Sequence, residues 1–291
     1  MHRRLLLTAS CLAPFAVKAA GLVRAVASFS ILADMLHRIG GERTSVTGIV
    51  APDGDAHGYQ PRPADARAVL AADLVVVNGL GLDPWMQRLA QAASFKGVLT
   101  IATAGVTPRK LPGSTATDPH AWQDPRNGAV YATAIGAGLA KADPTGADIY
   151  RAAAADYAAE ILRMDAWIES QFTGISPAAR RIITTHDAFG YFAARYGIQF
   201  LAAQGLSTEA EPSAKAIAAL VAQIKREKIR AVFVENMTDP RLAQMLARET
   251  GAVLGGAVYS DALSKQDGPA STYLDMLRHN TELFVKAMRA N

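Results

Sequence analysis

The chain has 291 residues, of which 50% are hydrophobic and 19% are charged, and this composition excludes both a small disulfide-stapled domain and a disordered chain. At about 150 residues per domain, the length predicts two globular units. The formal net charge of +4 falls to about +1 without Arg3, Arg4 and Lys18, which lie in a segment that we expect to be removed. So small an excess of positive charge argues against nucleic acid as the main partner.

The first 19 residues have the pattern of a secretory signal peptide. A short basic start is followed by an apolar stretch over 5–17 and by small residues at Ala19 and Ala20, with cleavage expected after Ala19. The apolar stretch is too short for the roughly 20 residues that span a bilayer. The single cysteine, Cys11, lies inside this segment, so the mature chain would contain no disulfide and no cysteine metal site. The alternative role for Cys11 is lipidation, although the preceding residues TAS lack the usual aliphatic residue three places upstream.

After the leader, short β-branched runs alternate with helical patterns, which is typical of parallel sheets covered by helices. The expected strands of the first half are 22–28, 45–50, 74–78 and 98–101, with helices at 31–39, 63–71 and 84–93. The pattern restarts with expected strands at 181–185, 198–202, 231–235 and 252–254, and with helices at 189–196, 212–227, 240–250 and 271–290. The chain is therefore expected to form two similar α/β halves.

Residues 143–172, between the halves, are expected to form one long helix. Asp143 is a suitable N-cap and Pro144 suits the first helical position. Apolar residues at helical spacing follow, namely Ile149, Ala153, Tyr157, Ile161, Met164 and Ile168. A helix of about 29 residues would be about 43 Å long and could span both halves; the alternative is an ordinary helix inside one domain.

These patterns divide the chain into a signal peptide (1–19), an N-terminal α/β lobe (20–142), a linking helix (143–172) and a C-terminal α/β lobe (173–291).

The contexts of the six histidines separate candidate ligands from the others. His2 lies in the leader, and His37 and His279 lie on the polar faces of predicted helices, where a structural or solvent role is usual. The remaining three lie in loops that follow predicted strands: His57, His120 and His186.

These three loops can converge, because the carboxyl ends of parallel strands face the ligand crevice of an α/β protein. Asp261 follows the last strand of the second half in the same way, so three imidazoles and one carboxylate would form a closed metal site. Each histidine could equally be a cap or a hydrogen-bonded loop residue, and Asp261 could cap the turn before Leu263. No helix carries the HExxH spacing of common metalloproteases.

Several stretches, in order, together resemble one protein family: SFSILADMLHRIGG, GDAHGYQPRPAD, VVVNGLGLDPWM, DPHAWQDPRNG, THDAFGYFAARYG, EPSAKAIAALVAQIKREKIRAVFVE and YSDALS. They resemble the cluster A-I metal-binding proteins of bacterial ABC importers, which are periplasmic zinc and manganese solute-binding proteins. The resemblance implies two Rossmann-like α/β lobes with parallel sheets, joined by one long rigid helix, and a metal ion bound in the cleft between them.

By this resemblance the metal ligands are His57 and His120 from the first lobe and His186 and Asp261 from the second. Manganese members usually carry Glu where this chain has His186, and imidazole suits zinc whereas carboxylate suits manganese. Three His and one Asp also form a normal tetrahedral zinc set. Zinc is therefore the expected cargo, with Mn²⁺ or Fe²⁺ as alternatives.

The resemblance further implies a periplasmic monomer that delivers its metal to an ABC permease. Zinc members often carry a long His- and acid-rich loop before the second ligand. Here residues 106–120 contain one histidine, the ligand His120 itself, and few acidic residues. A separate periplasmic metallochaperone is one way in which zinc could then be supplied.

Two acidic residues are candidates to accept the outer N–H of a ligand imidazole and so to fix its tautomer: Asp124 and Glu235. A salt bridge to a nearby arginine is the alternative for Glu235. Trp85 and Trp122 are expected to pack the lobes without contacting metal.

A zinc hydrolase is the alternative from a different functional class. It would use three His ligands, an open position for water, and Asp261 or Glu235 as general base. A fourth protein ligand closes the site to exchangeable water. Since Asp261 is available as that ligand, a binding protein is favoured over an enzyme.

Overall fold

The computed structural model describes residues 21–110, 115–202, 204–206, 208 and 212–290. The expected signal peptide and Cys11 lie outside this range. Within it, no helix combines the length and apolar character needed to cross a bilayer.

The first lobe is built on a parallel four-stranded sheet, with strands β1 (Val23–Phe29), β2 (Thr44–Val50), β3 (Leu74–Val77) and β4 (Val98–Ile101) in the order β2-β1-β3-β4. Its helices are α1 (Ser30–Gly40), α2 (Pro63–Ala71) and α3 (Pro84–Ala92). The sequence of β3, LVVV, is buried at every position, as a central parallel strand covered on both faces should be.

A helix that the sequence analysis does not predict follows the sheet of the first lobe, α4 (Pro125–Ala142). It contains Gly128, Gly136 and Gly138, and glycine inside a helix weakens the local helical signal. These glycines allow close packing instead: a Cβ at Gly136 would lie 2.5 Å from the Cβ of Ala154 on the next helix. Tertiary packing therefore outweighs the low helix propensity of this segment.

The linking helix α5 (Ala147–Gln171) has 25 residues and is shorter than predicted. At 1.5 Å per residue it is about 38 Å long. Asp143 does not cap it; its carboxylate accepts from Thr145 N at 3.1 Å and caps a 3₁₀ turn over Pro144–Gly146.

The predicted apolar stripe of α5 is wrong at its first position, Ile149, and its second, Ala153, is only partly buried against the core. The apolar residues that it buries are Tyr150, Ala154, Tyr157, Ile161, Met164 and Ile168. Ile149 is 55% exposed, because packing against α4 turns the Tyr150 and Ala154 face inward at this end.

The second lobe repeats the topology of the first, with parallel strands β5 (Arg181–Thr184), β6 (Gln199–Ala202), β7 (Ala231–Glu235) and β8 (Val253–Val258) in the order β6-β5-β7-β8. Its helices are α6 (Gly190–Tyr196), α7 (Ala214–Glu227), α8 (Pro240–Thr250) and α9 (Tyr273–Met288). The expectation of two α/β lobes with parallel sheets is confirmed, and helix α5 contacts α1 and α4 as well as α9 of the second lobe.

Candidate metal centre

Four side chains from four separate loops meet between the two sheets: His57, His120, His186 and Asp261. One donor atom from each lies within 4.8 Å of the others. The Asp261 Oδ2 atom lies 3.0 Å from His57 Nε2 and 3.2 Å from His186 Nε2, and the Nε2 atoms of His57 and His120 are 3.2 Å apart. The structure thus brings together all four residues that the sequence analysis selected.

Each of these residues lies beyond the carboxyl end of a strand, as predicted. His57 is in the loop after β2, where its backbone N–H donates to Asp55 Oδ1 at 2.8 Å. His186 comes two residues after β5, and Asp261 comes three residues after β8. His120 precedes a 3₁₀ turn that leads into α4. The fold therefore converts four distant sequence positions into one buried cluster.

The carboxylate that orients His120 is Asp118, so the prediction of Asp124 is wrong. Asp118 Oδ1 lies 2.8 Å from His120 Nδ1 and accepts from the His120 backbone N–H at 3.0 Å. Asp124 instead caps α4 by accepting from Arg126 N at 2.8 Å. The sequence contained a usable signal, since an aspartate two residues before a histidine can reach both its backbone and its ring.

Glu235 lies where the sequence analysis expects it, at the outer nitrogen of His186. One of its carboxylate oxygens contacts His186 Nδ1, and the other accepts from the His186 backbone N–H at 2.9 Å and from Thr185 Oγ1 at 2.7 Å. Its ionic partner among the described residues is His186, not an arginine. An Nδ1–H held by a carboxylate leaves Nε2 with its lone pair toward the cluster.

The electrostatics of the cluster favour a cation. Burial acts to raise the pKa of Asp261, but His120 and His186 hold it well below its ordinary value. Burial acts to lower the pKa of His120, but Asp261 and Asp118 raise it to about 9. The buried carboxylates raise the pKa of His186 in the same way, so they favour positive charge at the cluster.

The donor set fits a divalent metal ion in charge and size. Asp261 and Glu235, both fully buried, bring two negative charges, while Asp118 is balanced by Arg109 at 2.9 Å. With metal–nitrogen bonds of about 2.0–2.1 Å, the corners of a tetrahedron lie about 3.3 Å apart. Four separations among the donor atoms, counting both oxygens of Asp261, span 3.0 to 3.6 Å around that value, and the whole set lies within 4.8 Å. Asp261 Oδ1 is buried with no hydrogen-bond partner among the described residues, as a metal ligand would be.

The same geometry argues against a hydrolase. Asp261 occupies the fourth corner of the cluster, where a catalytic site would keep a water. Glu235 is engaged by His186 and Thr185 and is not placed to activate a water.

Among the described residues, His37, His279, Trp85 and Trp122 supply no atom to the donor set, although the Trp122 ring packs edge-on against His120. His37 is exposed, and the His279 ring lies with Nε2 2.9 Å from Ala257 O. Trp122 donates from Nε1 to Ser260 O at 2.8 Å and so connects the first lobe to the residue before Asp261. Trp85 donates to Ala56 O at 2.9 Å and supports the His57 loop.

Comparison with known proteins identifies the family. Residues 25–287 match the family model described as zinc-uptake complex component A, periplasmic. The chain belongs to this family. It is a periplasmic metal-binding component of an ABC importer, not an enzyme, and the resemblance found in its sequence is confirmed.

Similar proteins differ in the metal that their names give. The manganese-binding lipoprotein MntA of Halalkalibacterium halodurans is 36% identical over 266 residues, which cover 91% of this chain and 88% of that protein. The iron-binding protein YfeA of Yersinia pestis is 32% identical, with 90% and 85% covered. Among solved structures, the periplasmic zinc-binding protein TroA from Treponema pallidum matches with a TM-score of 0.86 and 27% identity over 91% of this chain and 98% of that chain.

Proposed function

We propose that this solute-binding protein captures one zinc ion per chain with His57, His120, His186 and Asp261 and delivers it to a membrane permease. The observation that carries the proposal is the convergence of three imidazole Nε2 atoms on one buried carboxylate. Three His and one Asp form a normal tetrahedral zinc set, and imidazole suits zinc better than it suits manganese.

Manganese or iron is the second candidate cargo. The relatives MntA and YfeA are named for these metals. Both oxygens of Asp261 also face imidazoles, since Oδ2 lies 3.0 Å from His57 Nε2 and Oδ1 lies 3.6 Å from His120 Nε2. A carboxylate in that orientation could supply two bonds, and the harder ions use more oxygen ligands than zinc does.

A metal competition experiment separates these candidates. The metal-free mature protein is titrated with Zn²⁺, Mn²⁺ or Fe²⁺, under anaerobic conditions for iron, against a chelator of known affinity. We expect one zinc per chain and an affinity at least about 100-fold above that for manganese, following the preference of nitrogen donors. Manganese or iron binding as tight as zinc binding would refute zinc as the selected cargo.

The position of His186 is the proposed source of selectivity. In His186→Glu, a carboxylate oxygen replaces the imidazole nitrogen, so the zinc-to-manganese affinity ratio is expected to fall. His37→Glu is the matched control, because His37 is exposed on α1. An unchanged ratio in His186→Glu would show that this position does not set selectivity.

The proposal also covers how zinc is supplied to the protein and whether the protein is anchored to a membrane by lipid. Hydrated Zn²⁺ should load the purified protein directly, whereas a requirement for a carrier protein would support a metallochaperone. We propose a periplasmic protein cleaved after Ala19; lipid anchoring at Cys11 is the alternative, and MntA is named a lipoprotein. The mass of the mature N-terminus distinguishes the two, since an acylated Cys11 would be the first residue of a lipoprotein.

A further inference from the structure

The short helix α6 follows His186 of the second lobe and packs against Asp118, which supports His120 of the first lobe. It begins four residues after His186 and has seven residues, Gly190–Tyr196. Its first turn contacts the first lobe, and its last turn contacts the linking helix α5. The two ends of α6 therefore contact different parts of the protein.

The first turn of α6 lies directly on the carboxylate that orients His120. A Cβ at Gly190 would overlap Arg109 Nη1 and would lie 2.5 Å from Asp118 Oδ2. The Tyr191 hydroxyl accepts from Arg109 N at 2.8 Å and donates to Asp118 O at 3.3 Å. The second lobe thus contacts Asp118, the carboxylate that supports the first-lobe His120, and any side chain at position 190 would force Arg109 or Asp118 to shift.

The last turn of α6 is bound to Asp165 on α5. The Asp165 side chain is buried, with 5% of the residue exposed. Its Oδ1 accepts from Arg195 Nε at 2.9 Å and Tyr196 OH at 2.7 Å, and its Oδ2 accepts from Arg195 Nη2 at 2.9 Å. A two-bond contact between arginine and a carboxylate fixes orientation as well as distance.

Asp165 also binds the start of α4. Arg126 Nε donates to Asp165 Oδ2 at 3.1 Å, and Arg126 comes six residues after His120. Burial acts to raise the pKa of Asp165, but bonds from Arg195, Tyr196 and Arg126 outweigh it and lower the pKa. One ionised carboxylate on the linking helix therefore receives donors from the segment after His120 and from the segment after His186.

We infer that Asp165 is a positioning residue of the metal centre, which sets the spacing between His186 and His120 through α6 and the start of α4. This inference rests on the proposed function. The histidines come from different lobes, so their separation depends on how both lobes are fixed to α5. A carboxylate shared by both segments fixes them to the same point of that helix.

The test compares two variants of α5. Asp165→Asn keeps the size of the side chain and removes its charge. Glu160→Gln is the matched control, because Glu160 accepts from Arg38 Nη2 at 2.8 Å and connects α5 to the first lobe only. Zinc affinity is measured by chelator competition, and the visible spectrum of the Co²⁺-loaded protein reports coordination geometry independently of fold stability.

We expect Asp165→Asn to weaken zinc binding by about tenfold, the lower end of the range for losing a direct hydrogen-bond partner of a metal ligand, because Asp165 acts through other residues. Its cobalt spectrum should change, while Glu160→Gln should match the wild type in both measurements. Wild-type affinity and an unchanged cobalt spectrum in Asp165→Asn would overturn the inference, even if the variant unfolded at a lower temperature.

A second variant keeps the inference testable if Asp165→Asn does not fold. Gly190→Ala places a methyl group against Arg109 and Asp118, so it should also weaken zinc binding and change the cobalt spectrum. Normal binding by Gly190→Ala would refute the coupling through α6. If the wild-type protein bound no metal at the four-residue cluster, both the proposed function and this inference would be refuted. If the wild-type protein bound zinc normally and the variants were unaffected, only this inference would be refuted.

Discussion

Replacing Glu235 with glutamine is expected to weaken zinc binding by about 10- to 100-fold, or about 1.4 to 2.8 kcal/mol at 1.4 kcal/mol per tenfold. Glu235 is fully buried and contacts His186 at both Nδ1 and the backbone N–H. The glutamine carbonyl can still accept from Thr185 and the His186 backbone, but its amide then faces Nδ1 as a donor. His186 Nδ1 must lose its hydrogen, and Nε2, the atom facing Asp261, must carry it.

Zinc would have to displace that hydrogen, and His186 would lose the carboxylate that increases its basicity. The assay is competition with a fluorescent chelator at fixed pH and salt. Asp73→Asn is a suitable control, because Asp73 pairs with Arg24 at the surface, beside the amino-terminal ends of the strands and away from the site. Zinc affinity of Glu235→Gln within about threefold of the wild type would refute the role assigned to this carboxylate.

Three further predictions concern other parts of the molecule. His186→Ala should abolish tight zinc binding in a titration, whereas His37→Ala and His279→Ala should not; equal losses would refute the assignment of ligands. Burial raises the pKa of the Asp34 carboxyl from 3.8 to about 6, so this carboxyl binds its proton more tightly in the folded state than in the unfolded state. The free energy of unfolding should therefore fall as the pH rises from about 4 to about 6. Asp34→Asn, which can still accept from Tyr273 N, should therefore stabilise the protein by about 1 to 3 kcal/mol at pH 7.5 and by much less at pH 4; an equal effect on thermal unfolding at both pH values would contradict this. Because α5 packs against both lobes, the metal-free and zinc-loaded forms should differ in radius of gyration by less than about 1 Å in small-angle scattering. A compact chain of this length has a radius of gyration of about 19 Å. A larger change would show that the lobes rotate.

The strands and the candidate ligands could be predicted from the sequence because they depend on local signals. β-branched runs such as LVVV mark the strands, and the loops that follow them share one edge of each parallel sheet. His57, His120, His186 and Asp261 lie in such loops, so the fold class allows them to converge, and the family resemblance selects them as the ligand set.

The remaining features depend on tertiary packing. The glycines of α4 weaken its helical signal in the sequence, and their role appears only once α5, α9 and the first-lobe sheet pack against them. Asp118 could have been chosen over Asp124 from its position two residues before His120, but the loop geometry was needed to show that it reaches both the ring and the backbone of that residue. The role of Asp165 requires α4, α5 and α6 to be in place, since its donors come from residues 39, 30 and 31 positions away in the chain.

The most direct test of the metal centre is anomalous diffraction at the zinc absorption edge from crystals of the zinc-loaded protein. The expected result is one strong peak per chain, bonded to Nε2 of His57, His120 and His186 and to Asp261 at about 2.0–2.2 Å. A protein that binds zinc but shows its peak elsewhere, or shows a peak that Asp261 does not contact, would contradict the four-ligand site.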